Sequence, residues 1–172
     1  MHSLIVGAPG VGKSTLIRKV LAELHRPVFG YESRKETDTL HLLLGHPIYI
    51  YEAGKEKLRS PENLIGYCKD RKPTVYKEAF DRFVPKLLKP IPEGAVILLD
   101  EIGFMETVSE PFCRAILSLL DGDHPVLAAV KDKDIPFLRA IRSHPKATCF
   151  HLTQDNRNSL LPLILQQLQA NL

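Results

Sequence analysis

Near the start of the sequence, Gly7-Ala8-Pro9-Gly10-Val11-Gly12-Lys13-Ser14 fits the spacing G-x-x-x-x-G-K-[ST] without a mismatch. The chemistry that needs this spacing is the wrapping of a polyphosphate. Several backbone N–H groups must converge on one anion, and side chains at the tight positions would obstruct them, so glycine recurs. Lys13 can reach β- and γ-phosphate oxygens as a compact charge, and the Ser14 hydroxyl can ligate Mg²⁺. The helix start that should follow adds the positive end of its dipole. The expected nucleotide contacts are therefore Gly7, Ala8, Pro9, Gly10, Val11, Gly12, Lys13, Ser14 and Thr15. The flanks agree. Leu4-Ile5-Val6 reads as a buried strand, and Leu16, Ile17, Val20, Leu21 and Leu24 fall at helical spacing after the loop.

A second constellation is Val96-Ile97-Leu98-Leu99-Asp100-Glu101, an apolar strand ending in two acids. Asp100 would emerge at the carboxyl end of that strand and join Ser14 in holding Mg²⁺. An acid immediately after it is well placed to polarise an attacking water. That favours hydrolysis over transfer to a bulky acceptor, with Lys13 and Glu101 as the catalytic pair. Charge that develops in a transition state also needs cations. Candidates are Arg139 and Arg142, which share a helix face, and Arg157, then Arg34 and Lys35. Tyr49, Tyr51, Tyr67 and Tyr76 could stack a base, although packing is the plainer reading. His41 and His46 flank a turn with no nearby cysteine or acidic ligand set to complete a metal site.

These residues need a frame. The 172 residues suit one domain with a full hydrophobic core. Hydrophobic residues make up 44% and charged residues 25%, which excludes a disordered, collagen-like or coiled-coil chain. Lys+Arg 23 against Asp+Glu 20 gives +3, too mild to argue for nucleic acid or an anionic membrane. No apolar run is long enough for a membrane span, and no leader is expected. The scattered Cys68, Cys113 and Cys149 read as free thiols in a reducing compartment, so a cytoplasmic location is expected.

Apolar runs alternate with helical patterns, as in βα units. Strands are expected at Val28–Tyr31, Ala95–Leu99, Val126–Val130 and Thr148–Leu152. Helices are expected at Ser14–Leu24, Tyr76–Leu88, Glu110–Leu120, Ile135–Ile141 and Asn156–Leu168, the last capped by Asp155. Residues 33–72 read as a variable, lid-like insertion. In it Thr39–Leu44 and Pro47–Tyr51 would form a hairpin around Gly45-His46, followed by a charged loop from Gly54 to Lys72. The fold class is three-layer α/β with a mainly parallel sheet.

The residues also resemble a family, the THEP-type nucleoside-triphosphatases, to which the cancer-related nucleoside-triphosphatases belong. The opening from Leu4 to Leu16 looks like the family's. Leu99-Asp100-Glu101-Ile102-Gly103-Phe104-Met105-Glu106 is similar to its D-E-I-G-K-M-E segment, and Leu152 to Leu161 is similar to its T-x-x-N-R-x-x-L-L motif. The resemblance implies a RecA-like P-loop fold and Mg²⁺-dependent hydrolysis of nucleoside triphosphates, ATP and GTP among them. It puts Asn156 and Arg157 in a closing motif near the nucleotide base or the sheet edge. Two departures stand out. Phe104 replaces the motif's lysine, and the glycine- and arginine-rich middle is missing between Ser33 and Asp70. A nucleotide or small-metabolite kinase, or a nucleotide-binding adaptor or switch with little turnover, are the rival readings of the same scaffold.

Overall fold

A short apolar strand buried on both faces must be covered by helices on both sides, and the chain is built this way. The computed structural model describes residues 1–172. Strand β1 (His2–Gly7) is buried throughout. After the glycine loop come α1 (Lys13–Leu24) and β2 (Val28–Lys35), then β3 (His46–Glu52), β4 (Leu64–Lys69) and β5 (Lys72–Val75). Helix α2 (Lys77–Leu87) leads to β6 (Val96–Ile102), a 3₁₀ turn (Met105–Val108) and α3 (Glu110–Asp121). The chain closes with β7 (Val126–Lys131), α4 (Pro136–Arg142), β8 (Ala147–His151) and α5 (Arg157–Gln169).

All strands share one eight-stranded sheet of order β5-β4-β3-β2-β6-β7-β1-β8. From β8 to β2 neighbouring strands are parallel, and β3, β4 and β5 extend the β2 edge antiparallel. The period-2 alternation of β6 divides the core. Ile97 and Leu99 face α2, α3 and α4, whereas Val96 and Leu98 face α1 and α5. On the first side, Tyr31, Phe80, Phe83 and Phe112 form an aromatic cluster, with Phe112 centred 5.0 Å from Phe80 and 5.3 Å from Tyr31. β7 stands between β1 and β6, so the strand leading into the glycine loop and the strand ending in the acid pair are not neighbours. This is the RecA-like arrangement.

The helices and the parallel strands lie where the periodicity predicts. The insertion does not. Thr39–Leu44 is no strand: His41 and Gly45 exchange backbone hydrogen bonds of 2.9 and 2.8 Å, and His41 Nδ1 accepts the N–H groups of Leu43 and Leu44. The backbone is thus satisfied within a local turn, and Leu42 and Leu43 project into solvent. The partners of β3 are β2, with Glu32 opposite Tyr51 and Lys35 opposite Ile48, and β4. The charged stretch expected as a loop contains β4 and the start of β5. An edge extension needs few apolar residues, and Ile65 alone is fully buried in β4. At α5 the N-cap is Asn156 rather than Asp155, and its side chain caps no helix N–H.

Replacing Phe112 by Ala removes the ring on which Tyr31, Phe80 and Phe83 converge. The expected loss of stability is about 3–5 kcal/mol, read from chemical denaturation against the parent.

Candidate active site

The phosphate-loop sequence becomes a loop because two of its glycines adopt conformations that other residues resist. Gly10 has φ 74° and Gly12 φ 105°. Val11 N–H donates to the Ala8 carbonyl at 3.3 Å, which closes the turn. Gly12 precedes α1 without lending it a side-chain cap, in contrast to Ser109, whose hydroxyl accepts from Phe112 N–H at the start of α3. The first N–H groups of α1 therefore have no side-chain acceptor, as an anion site requires. Lys13 is only 5% exposed. Its ammonium donates to the carbonyls of Gly7 (2.8 Å) and Ala8 (3.1 Å) and lies 3.2 Å from Glu101 Oε2.

The acid pair arrives at this loop through the end of β6. Ser14 Oγ donates to Asp100 Oδ1 at 3.0 Å. Successive residues of a regular strand face opposite sides, which would separate Asp100 from Glu101. The pairing with β7 slips here: Asp100 stands opposite Ala129 and Ile102 opposite Val130, leaving Glu101 as the extra residue of a bulge. The bulge re-aims Glu101 toward the loop. β2 braces the pair, since Tyr31 Oη donates to the Glu101 carbonyl at 3.3 Å. The Ser33 hydroxyl makes long contacts of 3.4 Å to the Asp100 carbonyl and the Glu101 N–H.

Asp100 is buried and forms no ion pair. Burial pushes its carboxyl up to about 6, the neighbouring Glu101 and Glu32 charges add to this, and the Ser14 hydrogen bond and Arg34 oppose it. A hydroxyl and a buried carboxylate at this separation are hard oxygen donors that suit a divalent cation shared with phosphate oxygens. Glu101 instead lies between two ammonium groups, Lys13 at 3.2 Å and Lys131 at 3.7 Å.

Arg157 is the one arginine brought to the loop. Its guanidinium lies against Gly12, where a Cβ would stand 2.5 Å from Nη2, and Nη2 donates to the Val11 carbonyl at 2.8 Å. Its Nε is buried without a partner. Asn156 folds the preceding turn: its Oδ1 accepts Thr153 N–H and its Nδ2 donates to the His151 carbonyl, both at 2.8 Å. Arg34 sits on β2 beside Glu32, which pairs across the sheet with Asp100. The other candidates lie elsewhere. Arg139 pairs with Asp134, and Arg142 donates to the Lys131 and Lys133 carbonyls. Lys35 is exposed at the end of β2. Tyr49 stacks on Tyr51, Tyr67 packs edge-on to Tyr76, and His46 bonds the Thr39 carbonyl, so these rings hold the extension together.

Two groups escaped the sequence reading. Lys131 announces itself only as a lysine at the carboxyl end of the apolar β7. Glu106 lies within the D-E-I-G-x-M-E segment as an acid without an evident task. It is buried, and its carboxylate accepts the Gly103 N–H at 2.8 Å, fixing the turn after the acid pair.

A family described as NTPase matches residues 2–165. The chain belongs to this NTPase family. It is 33% identical to nucleoside-triphosphatase THEP1 of Thermotoga maritima over 99% of this chain and 97% of that one. It is 30% identical to the mouse cancer-related nucleoside-triphosphatase homolog, with the same coverage of 99% and 97%. Among solved structures, the THEP1 crystal structure from Aquifex aeolicus superposes with a TM-score of 0.78 at 26% identity, covering 98% of this chain and 99% of that one. The solution structure of a human cancer-related nucleoside triphosphatase gives 0.69 at 26% identity, covering 99% and 98%. The NTPase family is thus matched along nearly the whole chain, the antiparallel extension included.

In this NTPase the turn after the acid pair should respond to pH. Burial pushes the Glu106 carboxyl from 4.5 up to about 7, against the Gly103 hydrogen bond and Lys131, which pull it down. The folded state then holds a proton that the unfolded chain has released. Stability must fall as pH rises from about 4.5 to about 7, by about 3 kcal/mol at most from this group. Urea unfolding at pH 5 and pH 8 should show this drop in the parent and a smaller one in Glu106→Gln.

Proposed function

We propose that the protein hydrolyses nucleoside 5′-triphosphates, ATP and GTP among them, to the diphosphate and phosphate, with Mg²⁺ as cofactor. The observation that carries this reading is Glu101, held by two lysines at the mouth of a phosphate loop and next to a buried aspartate that bonds Ser14. Ser14 and Asp100 would hold Mg²⁺, which when bound neutralises phosphate charge. The N–H groups of the loop from Gly7 to Ser14 and of Thr15 would bind the phosphates. Lys13 would exchange the Gly7 and Ala8 carbonyls for phosphate oxygens, a stronger partner for its charge. Glu101, freed from Lys13, would accept a hydrogen bond from the attacking water and orient it toward the terminal phosphorus. Arg157 would act on the loop rather than on the phosphate, through its bond to the Val11 carbonyl. The free thiols of Cys68, Cys113 and Cys149 fit a cytoplasmic setting, where triphosphates are abundant.

Two substitutions test the assignment. Lys13→Ala should weaken binding of a non-hydrolysable ATP analogue by roughly tenfold or more in calorimetry, because a charge-assisted contact is lost. Glu101→Gln should bind the analogue as the parent does and release phosphate about 10²–10⁴-fold more slowly. Glu101→Gln turning over at the parental rate, or phosphate appearing on an added acceptor instead of in solution, would overturn the hydrolytic reading.

A further inference from the structure

Only one of the two cations beside Glu101 belongs to the phosphate loop. On the hydrolytic reading Lys13 turns to the triphosphate, whose charge outweighs that of a single carboxylate. An acid that orients water must still be held to within a fraction of an ångström. Lys131 is built to stay. It is the last residue of β7, and Arg142 Nη1 donates to its carbonyl at 3.3 Å and to that of Lys133 at 3.0 Å, so the segment leaving the strand is pinned. The lysine stem runs across Gly103, where a Cβ would stand 2.8 Å from Lys131 Cδ. Its ammonium lies 4.9 Å from the centre of the Phe104 ring, which also carries the Lys133 ammonium at 4.5 Å. An aromatic face and a bare glycine thus direct the Lys131 chain toward Glu101 Oε1, 3.7 Å away.

We propose that Lys131 is the positioning residue for the water-orienting acid: its ammonium holds the Glu101 carboxylate while Lys13 is engaged with phosphate, and Phe104 is the shelf that steers it there. The proposal rests on the hydrolytic reading and deepens it. It also accounts for an aromatic residue at position 104: with the cation delivered from β7, position 104 serves as its support.

The test compares steady-state kinetics with analogue binding. Lys131→Met should lower kcat about 10- to 100-fold, the range for losing one charge-assisted contact. KM and the affinity for a non-hydrolysable ATP analogue should stay within about twofold, and Lys131→Arg should recover most of the rate. In the Glu101→Gln background, Lys131→Met should cause no further loss, because its effect passes through the carboxylate. Phe104→Leu, which keeps the lysine and removes the ring, should give a smaller loss that also vanishes in that background. An unchanged kcat in Lys131→Met, an equal loss with and without Glu101, or a loss expressed as weaker analogue binding would each overturn the proposal. A parent that releases no phosphate from ATP defeats the hydrolytic reading itself, and this inference with it. A parent that releases phosphate beside an equally active Lys131→Met defeats this inference alone.

Discussion

Ser14 and Asp100 meet at 3.0 Å although they are 86 residues apart in the chain and the strands that lead to them, β1 and β6, are divided by β7. The contact is possible because β1, β7 and β6 run parallel and end at the same edge, where the first turn of α1 rises from the loop. The buried alternation of Leu4, Ile5 and Val6 and of Val96 to Leu99 fixes the register on both sheet faces. A one-residue slip of β6 would send Asp100 to the opposite face and separate it from Ser14. The hydrophobic core is therefore also the ruler that sets the distance between hydroxyl and carboxylate.

The same edge places two adjacent acids in different surroundings. Asp100 is buried, has a hydroxyl partner and no ion pair, and burial pushes its carboxyl up to about 6. Glu101, one residue on, is turned outward by the bulge and lies between two ammonium groups. On the proposed reading, environments that separate two carboxyl groups in this way would also separate their tasks, one toward a cation and the other toward water. The bulge is the structural origin of that division.

How legible was this in the sequence? The loop residues, Asp100, Glu101 and the element order outside the insertion could be read because each rests on local information: glycine spacing, an apolar run, helical periodicity. In the sequence Arg157 is one candidate cation among five, and its contact with Gly12 follows from the packing of α5 beside α1, which no local pattern carries. Lys131 gave no local signal, since a lysine ending a strand is common and its meaning comes from the partner that β6 brings to it. The insertion misled for a physical reason. Leu40, Leu42, Leu43 and Leu44 have the composition of a strand, but local hydrogen bonds to His41 and Gly45 consume the backbone groups that pairing would need. Conversely, β4 and β5 form the outer end of the sheet, with β5 at its edge and few buried residues in either strand, so their periodicity is hidden.

The clasp of Arg157 on the glycine loop bears on how the molecule is made. Strand β8 pairs with β1 directly behind that loop, and the Leu152 carbonyl and Cβ crowd Gly7 from the same side. Residues 7–14 leave the ribosome early, yet the groups that shape them emerge some 140 residues later, since Arg157 lies 146 positions beyond Val11. A nascent chain thus carries its phosphate-binding sequence long before it can hold that sequence in its final conformation. On the proposed reading, firm capture of nucleotide would wait on residues as late as Arg157, and a fragment ending before it would keep the motif without the clasp.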